Sequence, residues 1–516
     1  MDFTRARPRQ ALRISLIVAV ALLSLGLGLG RSGRLTYHEA FVAQAARELI
    51  QSGTWLVPSI DHRPWLEKPP LPFWLVKVAA LISGQLDEAV ARVPSVLAAL
   101  ALILGISHHG ARRFSPKVGL LAGLIQATTL WTITRGRLAE ADILLAALVT
   151  WTLLMVDRLR GESHGTPRAQ GKWRDLIVFA LLGLTFLVKG LGFGAVLIAA
   201  VVATLVGIDR DRVLLRRLFS IRGLLLTVLI ALPWPVAVLF HHPQAWRLWT
   251  LHIADRLADH PEHFAGGSSW WFYLPVVLSL VLPWTPFALI GVYKSLRRAV
   301  RERYGPDRLL WAWAIAPLVL LSFATVKNGH YAIHALPPWS IWAASGAIEL
   351  GERLKSRGWN LSPRRVGTAF IMLGMSIGLG HLLIVPSLDR RGREWSFYAE
   401  AGRRLKSTEA VTLIYDDWDR NPYPSPFGPF PHDLAVRLFY LDRPANWCQG
   451  VDQLTRSDAS RPFAVIARER DMPGLVRLGR VETLAVGPDL RWDRMYRLYL
   501  IEPDPVARTE SRDLRR

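Results

Sequence analysis

A histidine and a glutamate stand side by side where the first long apolar run gives way to an amphipathic stretch. His38 and Glu39 belong to TYHEA, which is followed by FVAQAARELIQSG. Either side chain can take a proton from a hydroxyl group, and an imidazole ordinarily has a pKa of about 6.5. Thr36 and Glu39 also fit a helix-capping box. The two interpretations are compatible, because a capped helix is a rigid platform for a reactive side chain.

Three further charged positions lie at the edges of later apolar segments. Glu67 and Lys68 precede two prolines, and Lys189 follows an apolar run in LVKG. A lysine ammonium can hold a phosphate as a mobile point charge. The alternative for both lysines is a side chain that extends from apolar surface toward water. The fixed φ angles of the prolines favour a rigid site around Lys68.

The motifs GRLAEAD and VKNGHYAIH carry the remaining candidates. Asp142 begins an apolar run, where the helix dipole alone would favour an acid. Lys327, His330 and Tyr331 could contact a phosphate or a sugar, although an aromatic belt at the membrane interface explains the tyrosine almost as well.

A metal site has little support in the sequence. His260 and His263, in the run HPEH, have a spacing that could bind zinc with a third ligand from elsewhere, but loop polarity explains them better. No cofactor is predicted, and a divalent metal stays an open alternative. Cys448 is the only cysteine, which excludes an intramolecular disulfide and a cysteine-rich metal site.

The composition is that of a polytopic membrane protein. Of 516 residues, 51% are hydrophobic and 21 are tryptophan, and the mean hydropathy is +0.23. The net charge of +22 does not indicate nucleic acid, because the basic residues lie between apolar segments. Membrane topology and lipid headgroups explain them better. The basic N-terminus resembles a signal peptide, but an uncleaved first transmembrane helix is the better interpretation.

Hydropathy and charge together predict the topology. About twelve apolar segments approach the ~20-residue length of a span. Six basic loops fall on one side of the membrane only if one early segment does not cross, and the segment 71–84 is short and carries a lysine. We therefore predict that it lies in the outer leaflet. The prediction is a polytopic α-helical protein of about 11–13 transmembrane helices, with the N-terminus in the cytoplasm and the candidate residues above at the outer face.

The hydropathy falls after residue 387, which predicts a second domain. A helix-like run and three strand-like runs, AVTLIYDD, PFAVIARER and MYRLYLIE, indicate a small extracytoplasmic α/β domain over 387–505. Residues 506–516 are predicted to be a disordered tail. The transmembrane domain then covers 1–386, and its first outer loop, with juxtamembrane helices, covers 31–91.

An ordered series of motifs resembles a known family. The run YHEAFVAQAARELIQSGTWLVPSIDHRPWLEKPPLPFWL, and then ARVPSVLAAL, GRLAEADILLA, FLVKG, WWFYLPVVLSLVLPW and VKNGHYAIHALPP, are similar to the GT-C glycosyltransferases of the aminoarabinose-lipid A transferase and protein mannosyltransferase type. The resemblance covers roughly residues 13–350. It implies an inverting transfer of a sugar from a polyprenyl-phosphate donor to a lipid (lipid A-like) or protein acceptor, at the outer face of the cytoplasmic membrane.

The resemblance also implies roles for the candidates. His38 and Glu39 would activate the acceptor, with Asp142 positioning it or sharing the role of base. The donor phosphate would be held by Lys68, Lys189 and Lys327, and Glu67 would orient Lys68. His330 and Tyr331 would contact the substrate.

The chain departs from the family pattern in its first outer loop. The family's acid aligns with His38, and a tyrosine and a second glutamate become Val42 and Gln44. A catalytically impaired homologue is therefore one alternative. A transporter or flippase of lipid-linked sugars is another, although it predicts repeated spans and a polar site at the bilayer midplane. The expected partners are the donor, the acceptor and membrane lipids, with no nucleic acid.

Overall fold

A computed structural model describes most of the chain. The described residues are 3–31, 33–163, 173–190, 192–250, 269–324, 327–358, 362–389, 391–405, 411–415, 422–423, 427, 430–431, 433–443, 445–454, 462–489 and 494–503. The described residues are mostly helical, at 72%. It divides into two compact units, one of Met1–Leu29 with Leu66–Leu382 and the other of Gly30–Trp65 with Leu383–Arg516.

The first unit consists of helices. In chain order they are α1 Phe3–Ala21, α3 Leu71–Ser83, α4 Glu88–Arg113, α5 Pro116–Thr128, α6 Leu130–Gly136, α7 Ala141–Ser163, α8 Trp173–Phe186, α9 Phe193–Asp209, α10 Arg212–Leu218, α11 Ile221–Ala231, α12 Pro233–His241, α13 Tyr273–Leu280, α14 Thr285–Arg301, α15 Pro306–Ser322, α16 Pro337–Ser356 and α17 Pro363–Leu379. A π-helical turn, Leu22–Gly26, extends α1, and a 3-10 helix, Gly329–Ala335, precedes α16.

Local sequence signals set several of these boundaries. Asp87 caps α4 by accepting a hydrogen bond of 2.8 Å from the Val90 amide, and Ser115 caps α5 in the same way through Val118 at 3.2 Å. A proline at the first position of α5 and of α15 lacks an amide hydrogen that would have no helical partner there. The helices then bury a large apolar core and a smaller cluster around Phe179.

Within the described residues, four helices are long and apolar enough to cross a membrane. They are Arg9–Arg31, Glu88–Arg113, Ile221–His241 and Pro363–Leu388, and the pair α13 and α14, bent by 113°, would make a fifth. The predicted non-crossing segment is the helix α3, whose 13 residues are short for a span. The protein is therefore a polytopic helical membrane protein, and the number of about 11–13 transmembrane helices stays a prediction.

Helices α14 and α16 cross in close contact. A Cβ atom at Gly291 would overlap the carbonyl oxygen of Trp342, and one at Gly346 would overlap that of Phe287. Only glycine permits backbones to approach this closely. A polar link fixes the same region, since the Ser295 hydroxyl accepts a hydrogen bond from the Trp342 indole at 2.8 Å.

The end of α7 distant from Asp142 lies in a buried ion network. Asp157 binds Arg113 of α4 at 2.9 Å, and Arg160 donates to Asp209 at the end of α9 at 2.8 Å. Arg308 of α15 also donates to Asp209, at 2.7 Å. Removing one partner of a buried ion pair lowers the stability of the fold, because the other charge is left buried without compensation. The network therefore fixes the ends of four helices relative to one another.

The second unit contains a helix from the first predicted outer loop and the C-terminal residues. Its helices are α2 Tyr37–Gln51, α18 Val385–Leu388, α19 Arg391–Arg404, α20 Leu434–Leu441 and α21 Met472–Val476. Its strands are β1 Ser59–Ile60, β2 Arg63–Pro64, β3 Val411–Ile414, β4 Pro422–Tyr423, β5 Phe430–Pro431, β6 Ala445–Cys448, β7 Phe463–Arg468, β8 Gly479–Asp489 and β9 Arg494–Pro503. Gly30–Trp65, which include most of the first half of the predicted outer loop 31–91, belong to this unit.

A five-stranded mixed sheet forms the centre of this unit. The order is β6-β3-β7-β9-β8, with β3 parallel to β6 and β7, and β9 antiparallel to β7 and β8. The three predicted strands are β3, β7 and β9, and the predicted helix is α19, so the small C-terminal sheet domain is confirmed. The predicted disordered tail, 506–516, lies outside the described residues.

Candidate functional site

An ion pair joins two of the predicted site residues in the first unit. Asp142 is the second residue of α7, and Lys189 follows α8 in a turn that contains Gly190 and Gly192, both at positive φ. The Lys189 ammonium donates to Asp142 Oδ1, and the two side chains are only 12% and 8% exposed. Glycine adopts positive φ without strain, so Gly190 and Gly192 permit the change of chain direction beside Lys189.

The 3-10 helix Gly329–Ala335 forms one wall of this site. His330 Nε2 lies 3.9 Å from the second oxygen of Asp142. The Lys189 ammonium stands 4.6 Å from the centre of the Tyr331 ring, in a cation–π contact. Phe193, at the start of α9, packs on Tyr331 with 5.7 Å between ring centres. The structure therefore brings four predicted residues together: Asp142, Lys189, His330 and Tyr331.

A fifth residue of the site was not singled out in the sequence. His334 is 1% exposed, and neither ring nitrogen has a hydrogen-bond partner among the residues that the structure describes. Its ring contacts Phe193 at 5.9 Å, and Asp142 and Lys189 are close enough to act on it electrostatically. The spacing of four from His330 gave no signal, because a 3-10 helix has three residues per turn and that spacing does not place two side chains on one face.

The Glu67–Lys68 segment runs beside the Lys189 turn. The Leu71 amide donates to the Leu187 carbonyl at 2.9 Å, which ties the start of α3 to a position two residues before Lys189. On the N-terminal side of Glu67 and Lys68, the Trp249 indole donates to the Leu66 carbonyl at 2.8 Å. Both Glu67 and Lys68 are half-buried. Backbone hydrogen bonds on both sides therefore hold Lys68 in a defined position.

Lys327 is buried at 4% exposure and donates to the Ala324 carbonyl at 2.8 Å. It lies three residues before His330, at the entrance to the 3-10 helix. Nearby, the Tyr273 hydroxyl is 3.5 Å from the Asn328 carbonyl. A buried ammonium needs polar partners, and the Ala324 carbonyl is one such partner for Lys327. The Tyr273 contact holds the backbone of the residue that follows Lys327.

His38 and Glu39 lie in the second unit, in the first turn of α2. Glu39 is fully buried, and its carboxylate accepts a hydrogen bond of 2.9 Å from the Thr36 amide. The Glu39 amide donates to the Thr36 hydroxyl at 3.3 Å, which completes the capping box. His38 is exposed. The two neighbours thus differ sharply in their access to solvent.

An acid that sequence reasoning did not single out supports the same helix. Glu48 is 4% exposed and accepts hydrogen bonds from the Ser59 hydroxyl at 2.6 Å and the Asp61 amide at 2.8 Å. Gln44, at the position of the family's second glutamate, donates to Glu48 at 3.0 Å. Because a buried carboxylate needs several donors, Glu48 pins the loop that follows α2.

Asp61 in that loop is held in turn by a residue of strand β6. Its carboxylate accepts a hydrogen bond of 2.9 Å from the Trp447 indole, and Arg63 lies 3.8 Å away. Burial raises the pKa of Asp61, although the Trp447 hydrogen bond and the Arg63 charge oppose the shift.

No group of three metal-ligating side chains occurs in the part of the chain that the structure describes. The weak candidates His260 and His263 lie outside the described residues.

The chain is similar in sequence to a family of membrane glycosyltransferases. The family model described as "Dolichyl-phosphate-mannose-protein mannosyltransferase" matches residues 67–236. The undecaprenyl phosphate-alpha-4-amino-4-deoxy-L-arabinose arabinosyl transferase of Edwardsiella ictaluri is 30% identical over 352 residues, which is 66% of this chain and 62% of that protein. A second such transferase, of Proteus mirabilis, is 26% identical over 67% of this chain and 60% of its own length. The chain thus spans about three fifths of the length of these relatives.

The fold is shared with solved structures. ArnT from Cupriavidus metallidurans, bound to undecaprenyl phosphate, superposes with a TM-score of 0.74 at 18% identity, covering 96% of this chain and 98% of that one. The oligosaccharyltransferase of Archaeoglobus fulgidus is similar with a TM-score of 0.57 at 15% identity, over 91% of this chain and 73% of that one.

Proposed function

Because this chain is a homologue of the aminoarabinose transferases and has the fold of the GT-C glycosyltransferases, we propose that it transfers a sugar from a polyprenyl-phosphate donor to a lipid A-like or protein acceptor. The observation that carries the proposal is the meeting of Asp142, Lys189, His330 and Tyr331 beside the Lys68 segment. Cations, an acid and aromatic rings within one partly closed region suit a donor that carries both a phosphate and a sugar.

On the donor side, we assign the main phosphate contact to Lys68. Lys189 shares its charge with Asp142, and this pairing weakens the attraction of Lys189 for a phosphate. The backbone hydrogen bond between Leu71 and Leu187 supports a joint role, since it keeps both lysines on adjoining segments. As the glycosidic bond breaks, negative charge grows on the phosphate, and preorganised cations stabilise that charge.

The aromatic wall serves the sugar. Tyr331 already binds the Lys189 cation on one ring face, and an amino sugar carries a comparable cationic group. His330 and His334 add ring nitrogens beside Asp142. These groups support a donor with a charged amino substituent, such as the 4-amino-4-deoxy-L-arabinose that the relatives' names specify.

On the acceptor side, we propose His38 rather than Glu39 as the base. The Glu39 carboxylate is fully buried and serves the helix cap, whereas the His38 side chain is exposed. A general base must reach the proton that it removes, which favours the accessible imidazole. Asp142 keeps the proposed role of positioning the acceptor. The inverting outcome follows from family analogy alone.

The proposed location is the cytoplasmic membrane, with the N-terminus in the cytoplasm and the C-terminal domain outside. Basic loops support it, among them DRLRGESHGTPRAQGKWR and DRDRVLLRRLFSIR, because lysine and arginine are retained on the cytoplasmic side.

The test uses the purified full-length chain with undecaprenyl phosphate-α-4-amino-4-deoxy-L-arabinose and a panel of lipid A and peptide acceptors. Mass spectrometry would detect the transferred sugar, and Lys68→Ala should lower the rate far more than the control Lys355→Ala, an exposed lysine at the end of α16. Binding of the donor without transfer to any acceptor would instead indicate an impaired homologue.

A further inference from the structure

A cavity of about 520 Å³ opens at the end of the first unit that is distant from Asp142. It lies between the start of α5 and the helices α14, α15 and α16. Arg113 in its lining binds Asp157, which is fifteen residues along α7 from Asp142 and hence ~22 Å away along the helix axis. Its volume falls within the usual range for small-ligand pockets. The cavity is therefore separate from the candidate site described above.

Basic side chains form part of the cavity lining. Lys117, in the first turn of α5, is exposed and makes no ion pair with any residue in the described part of the chain. Arg298 binds Asp307 through Nε and Nη2, at 2.7 and 3.0 Å, which leaves Nη1 for a further partner. The amino-terminal ends of α5 and α15 also face this region, since Ser115 and Pro306 line it.

Acidic side chains also line the cavity. Glu302 and Glu352 line the cavity, are exposed, and form no ion pair with a residue that the structure describes. Glu349, by contrast, is bound by Lys294 at 3.1 Å. In all, four basic and four acidic side chains line the cavity: Arg113, Lys117, Lys294 and Arg298, with Glu302, Asp307, Glu349 and Glu352. The formal charge of the lining sums to zero, with both signs present.

The back of the cavity is rigid. Gly291 lines it at the close crossing of α14 with α16, and Asp307 is held by both Arg298 and the Ser295 hydroxyl, the latter at 2.5 Å. A wall held in this way keeps the charged groups in place before a ligand arrives, which lowers the entropic cost of binding.

The outer surface of α14 places the cavity at headgroup depth. Leu289, Tyr293, Leu296 and Val300 are 52%, 58%, 47% and 71% exposed. Their spacing of four, three and four makes one apolar stripe that continues to the last turn of the helix. In a membrane protein such a stripe faces acyl chains, so lipid reaches the level of Arg298. The charged cavity then lies where phospholipid headgroups lie.

From the charge of the lining and its depth we infer that this cavity binds the headgroup of a zwitterionic membrane lipid, an aminoalkyl phosphodiester of the phosphatidylethanolamine type. Lys117 and Arg298 would bind the phosphodiester, and Glu352 and Glu302 would accept hydrogen bonds from the ammonium. An anionic headgroup without an amine would leave these carboxylates facing a negative charge. A quaternary ammonium lacks the N–H donors that the carboxylates require.

The experiment compares lipids of the same acyl chains on the purified full-length protein. Detergent-solubilised protein receives equimolar phosphatidylethanolamine, phosphatidylglycerol and phosphatidylcholine, and native mass spectrometry measures the bound fraction of each. We expect phosphatidylethanolamine to be retained about tenfold over the other two, because charge-assisted hydrogen bonds to both of its ends are lost in either alternative. Equal retention of the three lipids would overturn the inference.

Variants identify the site and the source of the headgroup. Lys117→Gln with Glu352→Gln should reduce phosphatidylethanolamine retention about tenfold, and Glu352→Gln alone should shift the preference toward phosphatidylglycerol. Both side chains are exposed and lack ion pairs among the described residues, so folding should be kept, and a thermal melt checks it. The control Lys355→Gln should retain the lipid. Unchanged retention in the double variant refutes the site, and displacement of the lipid by equimolar glycerophosphoethanolamine refutes a membrane source.

Discussion

The buried pair of Asp142 and Lys189 permits a sharp test of how the candidate site is held together. Replacing Lys189 by Met keeps the length of the side chain and removes its charge. The Asp142 carboxylate, only 8% exposed, then loses the partner that its Oδ1 contacts. It keeps a more distant neighbour, His330 at 3.9 Å. Replacing Asp142 by Asn gives the converse single variant, and the two changes together remove both charges.

The expected free energies follow from burial. Removing one partner of a buried ion pair costs about 3–5 kcal/mol, because the other charge is left without compensation. We expect the lower end, ~3 kcal/mol, for Lys189→Met, since His330 remains. For Asp142→Asn we expect less, because the Tyr331 ring still stabilises the ammonium by about 0.5–2 kcal/mol. The double variant should recover most of the loss, which gives a coupling energy of about 2–3 kcal/mol.

The measurement is thermal unfolding of the four proteins in one detergent, followed by tryptophan fluorescence. Under the ion-pair argument, the double variant melts close to wild type and both single variants melt lower. Additive effects, with the double variant the least stable, would refute it. Transfer activity should be lost in all three variants, so the recovery concerns stability alone and separates the structural role of the pair from its proposed chemical one.

Further predictions concern five single-residue variants. Lys68→Ala should lower the transfer rate by about 100-fold or more with little change in stability, measured by product formation, because a preorganised cation at the phosphate is lost. His38→Ala should abolish transfer and lower the melting temperature less than Glu39→Ala, which should destabilise the protein by about 1 kcal/mol through loss of the cap, as a melt would detect. Asp61→Asn should raise the melting temperature slightly at neutral pH. Because the pKa of Asp61 is raised in the folded state, protonation of Asp61 stabilises the fold. This contribution is present at acidic pH and is lost as the pH rises through the folded-state pKa. The higher melting temperature of Asp61→Asn should therefore disappear at acidic pH. Gly291→Ala should unfold the protein at a clearly lower temperature, because the added methyl group overlaps a backbone carbonyl.

Short-range signals made much of the fold predictable. Thr36 and Glu39 form the expected capping box, and the strand-like runs near residues 411, 463 and 494 form strands. These features depend on neighbours in sequence, so a single chain reveals them. The membership of residues 30–65 in the second unit depends on contacts with residues more than 300 positions away, such as Leu35 with Tyr440 at 2.7 Å. No local pattern contains that information.

The candidate site was predictable in part for the same reason. Motif order and charge at apolar edges identified Asp142, Lys189, His330 and Tyr331, which the structure brings together. Neither signal could reveal that Lys189 is paired with Asp142, because pairing is set by the packing of α7, α8 and α9. His334 was missed because an isolated histidine in an apolar segment has no distinguishing feature until its neighbours are known.

Because Glu39 forms the capping box at the start of α2, a glutamate at position 39 in a related sequence does not by itself indicate catalytic activity. Its carboxylate closes the helix, so selection for stability alone is enough to retain it. A descendant that had lost catalysis would keep the same glutamate for as long as it needed to fold. The side chain at position 38 is exposed and does not close the helix. Substitutions there, rather than at the acid beside it, are the ones that would separate active lineages from inactive ones.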